Sequence, residues 1–175
     1  MQETASQYIA RINSYLGNDD VLTVLSQTPQ ALQELLKNVP EQVLRQRPTP
    51  EKWSVLEQVV HLSDVEIVVG FRVRFVLGAE DGAPIVAFDQ DRWQQAFRYN
   101  ERDLAPTLES FRAARENNLR LYRSLTAAQW EKYGMHSERG KETVRAIVNL
   151  QGGHDRNHLK QMQEILAQGK AAVSR

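Results

Sequence analysis

Apolar residues recur along this chain at spacings of three and four, and no stretch sustains the strict alternation of a strand, so the pattern predicts an all-α protein. A first amphipathic helix over about 3–16 carries Tyr8, Ile9, Ile12, Tyr15 and Leu16 on one side and stops at Gly17. After Asp19 and Asp20 the pattern reads as a short apolar turn. A second helix is then expected from Thr28-Pro29, with proline at the first helical position and Leu32, Leu35 and Leu36 on its face, ending at Pro40.

The segment RQRPTPEKW carries two prolines, each of which pushes its predecessor out of the α region, and predicts an extended connector. Ser54 and Glu57 then form an S-x-x-E capping box opening a helix to about Leu77. Its apolar residues surround nearly the whole circumference, which predicts burial on several sides and leaves the direction of His61 open. Residues 78–100, rich in Gly, Asp and aromatics, form a long connection of the kind that serves as a lid or binding loop.

The next helix is expected over about 101–125, with Pro106 in its first turn and Arg115 on its apolar stripe, where a snorkelling side chain and a substrate-binding one both fit. Thr126 and Gln129 propose a short capped turn, and YGMHSERGKET reads as a loop ending near Thr143, a candidate N-cap. The last helix runs from there to about Gln168. Val144, Ile147, His154, His158, Met162 and Ile165 share its inner stripe.

Composition narrows the chemistry. The 175 residues suit one domain, and 41% hydrophobic with 25% charged residues is an ordinary globular balance. Lys+Arg and Asp+Glu both number 22, which argues against nucleic-acid binding. No apolar run is long enough to span a membrane, and MQETASQYIA lacks the features of a signal peptide, so a cytoplasmic address is expected. With no cysteine, a metal would have to be held by His, Asp, Glu or water.

His154 and His158 are spaced i, i+4, which stacks both imidazoles on one helical face. Asp155 stands where the zincin motif has glutamate, so a metalloprotease is not indicated. On spacing alone, a shared metal and a buried, hydrogen-bonded core pair both account for the two histidines. Gly152-Gly153, beside them, suggests close helix packing, space beside a metal or a helix break.

The stretch RPTPEKWSVLEQVVHLSDVE, the later DQDRW, Tyr99, FRAAR and GMHSERGKET, and the terminal HDRNHLKQM occur in the order seen in one family. The chain resembles the DinB-like, YfiT-like superfamily of metal-dependent enzymes over residues 22–165. The resemblance implies a four-helix bundle, here with an extra N-terminal helix, as a single domain over residues 1–175. It also implies three metal-binding histidines, matched by His61, His154 and His158, with coordination positions left open. Zinc or nickel suits imidazole, with iron or manganese as further candidates.

Relatives of this family include thiol S-transferases using a low-molecular-weight thiol as cosubstrate, and hydrolases. The expectation is therefore a metal-dependent transferase or hydrolase acting on a small molecule. The alternative is a non-catalytic helical stress-response or interaction protein with a structural or vestigial metal site. Asp64, Glu66, Asp91 and Asp155 are candidates for orienting or base work, the first two and Asp155 as the catalytic carboxylates, and all four fit equally well as solvated helix-surface charges. Arg115 and His136 are candidate substrate-binding residues, His136 fitting equally well as a solvent-exposed loop residue. A homodimer is a further expectation.

Overall fold

The computed structural model describes residues 3–173, with side chains through Gln168. Its long helices are α1 (Ala5–Leu16), α2 (Val21–Leu36), α4 (Val55–Gly78), α6 (Leu104–Ser124) and α8 (Val144–Val173). Short helices α3 (Glu41–Arg45), α5 (Gln90–Ala96) and α7 (Ala127–Glu131) lie in the connections, with a 3-10 turn at Tyr99–Glu101. Helix α4 packs on α6 and α8, and α2 packs on the same two, closing a four-helix bundle; α1 lies against α8.

The caps explain several boundaries. Ser54 accepts from the Glu57 amide while the Glu57 carboxylate accepts from the Ser54 amide, which satisfies two orphan donors and starts α4. The same reciprocal pair at Thr126 and Gln129 starts α7. Thr143 accepts from the Ala146 amide at 3.1 Å at the head of α8.

Helix α2 departs from expectation. Asp20 accepts from the Thr23 amide at 2.8 Å, so the helix begins at Val21 and the presumed apolar turn is helical. Pro29 therefore sits inside the helix rather than at its start. It cannot donate to the Leu25 carbonyl, and Arg115 Nη1 donates to that oxygen at 2.9 Å instead.

A second difference is a small sheet. β1 (Ala83–Ile85) pairs in parallel with β2 (Tyr133–His136), which pairs antiparallel with β3 (Gly140–Thr143). Strands of three or four residues are too short to show a period of two, which is why YGMHSERGKET read as a loop. A Cβ at Gly134 would lie 2.8 Å from the Ala83 carbonyl oxygen, so glycine allows the two strands to approach. The 78–100 connection is likewise structured, through β1, α5 and the 3-10 turn.

Helix α4 is not buried all round. Ile67 is 61% and Phe71 65% exposed, and with Phe75 they form an i, i+4, i+8 outer stripe. Two apolar clusters fill the interior, one around Leu32, Leu56, Phe111 and Met162, the other around Leu25, Val73, Leu119 and Val148. At the level between them α4, α6 and α8 contribute polar residues.

Gly152 and Gly153 lie within an unbroken α8. A Cβ on Gly153 would come within 2.2 Å of the Ile12 carbonyl oxygen, and one on Gly152 within 2.7 Å of Val21 Cγ2. Close packing of α1 and the start of α2 on α8 therefore accounts for the pair. Gly153→Ala is expected to lower stability by about 1–3 kcal/mol, as overpacking does, despite alanine's better helix propensity. Urea denaturation checks this, and an unchanged or raised midpoint would contradict it.

Candidate metal centre

Three histidines reach one point in the polar layer. His61 projects from α4, and His154 and His158 from successive turns of α8. His154 Nε2 lies 3.1 Å from His61 Nε2 and 3.2 Å from His158 Nε2, and the three ligand atoms all lie within 4.8 Å of one another. Imidazole nitrogens about 2.0–2.1 Å from a common ion, at tetrahedral or octahedral angles, are separated by about 2.9–3.4 Å.

The protonation pattern favours an ion over hydrogen bonds alone. His158 Nδ1 lies 3.0 Å from Gln58 Oε1, an acceptor, which places the proton on Nδ1 and leaves a lone pair on Nε2. A single proton on His154 Nε2 could serve only one of its two neighbours. A cation serves all three lone pairs, so the residues present fit a divalent metal.

Burial pushes all three imidazole pKa values down, His154 to about 4, and His61 and His158 well below the ordinary value; proximity to His154 adds to the effect on both. All three are therefore neutral ligands at pH 7. Trp53 sets its ring edge-on to His61 with centroids 4.9 Å apart. The Nδ1 atoms of His61 and His154 are buried without a protein partner.

The lowered pKa values make the metal-free protein acid-sensitive. The unfolded chain takes up these protons near pH 6.5, the folded one only near pH 4 for His154, so stability present above 6.5 is lost as pH falls toward 4. The melting temperature of chelated protein is expected to fall over that window, with a smaller slope in a His154→Leu, His158→Leu double variant. Equal slopes would contradict this.

The triad opens on two cavities. One, of about 620 Å³, is walled by His61 and His154 together with Val65, Arg72, His136 and Arg139. The other, of about 540 Å³, is bordered by His154 and His158 with Trp53, Gln58 and Asp91. Both volumes are in the range of small-molecule sites.

His136 belongs to the first wall. It is 3% exposed, which corrects the solvent-exposed reading, and its Nδ1 accepts from the Glu138 and Arg139 amides at 3.2 and 3.3 Å.

The candidate carboxylates are placed elsewhere. Asp64 accepts from the Tyr99 hydroxyl at 2.5 Å, and burial raises its pKa. Glu66 and Asp155 both pair with Arg115, at 2.7 Å each. None of these three carboxylates lines either cavity. Arg115, 1% exposed, does not snorkel, and its donors are taken by Glu66, Asp155 and the Leu25 carbonyl, which leaves it a role in holding α2, α4, α6 and α8 together. Asn118 and Gln151 complete the Glu66 shell at 2.7 and 2.6 Å.

Gln58 and Arg72 were not singled out by sequence. Gln58 had a signal: it precedes His61 by three residues, on the same helical face. Arg72 offered none beyond its position on α4.

Among the described residues, no helix is long and apolar enough to cross a membrane. In comparison with known proteins, this chain is similar to the uncharacterized protein YuaE of Bacillus subtilis (strain 168), with 26% identity over 144 residues, 74% of this chain and 87% of YuaE. Its fold is similar to that of YfiT from Bacillus subtilis, described as a probable metal-dependent hydrolase with an unusual four-helix bundle topology. The TM-score is 0.80 at 20% identity, over 86% of each chain. The sequence profile of the DinB superfamily matches residues 25–162, and the chain therefore belongs to that superfamily.

Proposed function

We propose that this protein is a metal-dependent enzyme acting on a small molecule, as a hydrolase or a thiol S-transferase. The observation that carries the reading is the convergence of His61, His154 and His158 on one point at the edge of two cavities. Three protein ligands leave a tetrahedral ion one open position, the arrangement of catalytic rather than structural sites. Zinc or nickel fits the all-imidazole donor set best.

When bound, the ion supplies a nucleophile at neutral pH, either water with its pKa lowered from 15.7 toward about 7 or a low-molecular-weight thiol held as thiolate. The chain's own residues prepare the place. Gln58 fixes the His158 tautomer so that its Nε2 lone pair faces inward, and Trp53 packs against the His61 ring. Buried neutral imidazoles keep the ligands unprotonated at physiological pH. With no free carboxylate among Asp64, Glu66 and Asp155, proton transfer would fall to the bound nucleophile or to groups of the cavity wall.

The test is turnover against esters and against electrophile-thiol pairs, before chelation, after it and after return of zinc or nickel. Turnover lost on chelation, restored by metal and absent from His158→Ala supports the proposal. Turnover that survives chelation, or none from metal-loaded protein whose melting temperature still depends on metal, favours a structural site.

A further inference from the structure

We infer that the larger cavity holds an anionic acceptor group of its ligand, a carboxylate or phosphate, between Arg72 and His136. The inference rests on reading this cavity as the substrate site, and two independent observations carry it.

The first is an arginine without a counter-charge. Arg72 is only 8% exposed, yet no carboxylate of the described residues lies within 4.0 Å of it. Its guanidinium donates to the Val86 carbonyl at 2.7 Å and lies 5.6 Å from the Phe88 ring centre. A buried arginine is ordinarily paired. The nearby carboxylates are committed or solvated: Glu142 pairs with Arg139, Glu3 pairs with Arg11, and Asp89 and Glu138 are exposed.

The second is a donor without an acceptor. Two backbone amides point at His136 Nδ1, so the neutral ring carries its proton on Nε2. That N–H is buried and has no partner in the protein. An unmet buried donor carries a desolvation cost that a ligand oxygen would relieve.

Both groups line the cavity that also exposes His61 and His154. Along α4, His61, Val65, Val69 and Arg72 form one stripe of that wall. Eleven residues of helix place Arg72 about 16 Å along the axis from His61 and about 20° around it. The ligand this arrangement fits is elongated, with its reacting end at the histidines and its anionic end at Arg72 and His136, the intervening wall being the apolar Val65 and Val69. Guanidinium and N–H donors on an acceptor-only oxyanion are charge-assisted bonds, about twice as strong as neutral ones.

The probes are hexanoate, hexylphosphonate and the neutral isostere hexanamide, titrated calorimetrically into chelated full-length protein, so that no metal competes for the oxyanion. Both anions are expected to bind in the millimolar range or tighter, and hexanamide about tenfold more weakly or worse. Arg72→Gln and His136→Phe should each weaken anion binding about tenfold, while Arg72→Lys keeps much of the preference over hexanamide. Anion binding that persists in the chelated wild type, whether or not returned metal restores turnover, separates this site from the metal reading.

Thermal melts establish that each variant is folded, and the His136→Phe and Arg72→Lys arms remain decisive if Arg72→Gln is not. Equal binding of hexanamide, anion binding indifferent to Arg72 and His136, or no anion binding at millimolar concentration would each overturn the inference.

Discussion

Arg115→Met is expected to cost about 3–5 kcal/mol of folding stability, the penalty for leaving buried charges without their partner. In the wild type one guanidinium faces two carboxylates, Glu66 and Asp155, and all three side chains are at most 1% exposed. Removing the cation strands two negative charges in the bundle centre and frees the Leu25 carbonyl above Pro29. Set against a typical total of about 5–15 kcal/mol, the loss would leave a marginal protein. Arg115→Lys is expected to recover only part of it, since a single ammonium cannot reproduce the forked bonds to Glu66, Asp155 and Leu25. Urea denaturation of both variants reads the difference; two variants within about 1 kcal/mol of wild type would show that the network contributes little.

Addition of zinc or nickel at a free concentration about a thousandfold above Kd is expected to stabilise the wild type by about 4 kcal/mol, the mass-action result for one site on the folded state. His61→Ala should abolish most of that gain. It removes one of three ligands and, with it, the only one supplied by α4, so the remaining pair on α8 no longer ties two helices together. Gln58→Ala gives the graded counterpart: loss of an outer partner that fixes a ligand's tautomer is expected to weaken metal binding 10–100-fold, roughly, without removing it. Melting curves with and without metal distinguish these cases. A His61→Ala protein stabilised like wild type would assign the ion to the α8 pair or to another site.

Much of the bundle was legible because its signals are local. The Ser54/Glu57 and Thr126/Gln129 boxes bring together residues three apart, and both appear where the pattern put them. The i, i+4 spacing likewise placed His154 and His158 on one face. Three features depend on distant contacts and were not legible. Pro29 looked like a helix start because its missing hydrogen bond is made good by Arg115, 86 positions later in the chain. The strands at 83–85, 133–136 and 140–143 are too short for periodicity, and β1 finds its partner only across three α-helices and a 3-10 turn. His61 could not be oriented from an α4 that is apolar on nearly every side, so the resemblance carried its place in the triad until the Nε2 distances were known.

The site carboxylates show the same limit. Asp64, Glu66 and Asp155, candidates for base work, sit close in sequence to the metal-site histidines. Helical geometry turns two of them away: Asp155, one residue from His154, and Glu66, five from His61, lie about 100° and 140° around their helices, while Asp64, three residues from His61, is taken by the Tyr99 hydroxyl. Glu66 and Asp155 meet Arg115 in the core, and Asp64 meets Tyr99. His136, at the end of β2 and separated from His154 by β3 and the start of α8, reaches the same cavity.

The most direct test of the central claim is the metal content of the purified wild type beside a His154→Ala, His158→Ala double variant, measured by elemental analysis on folded protein. The account predicts close to one equivalent of a divalent transition metal in the wild type and little in the double variant. Equal, negligible metal in both would contradict it.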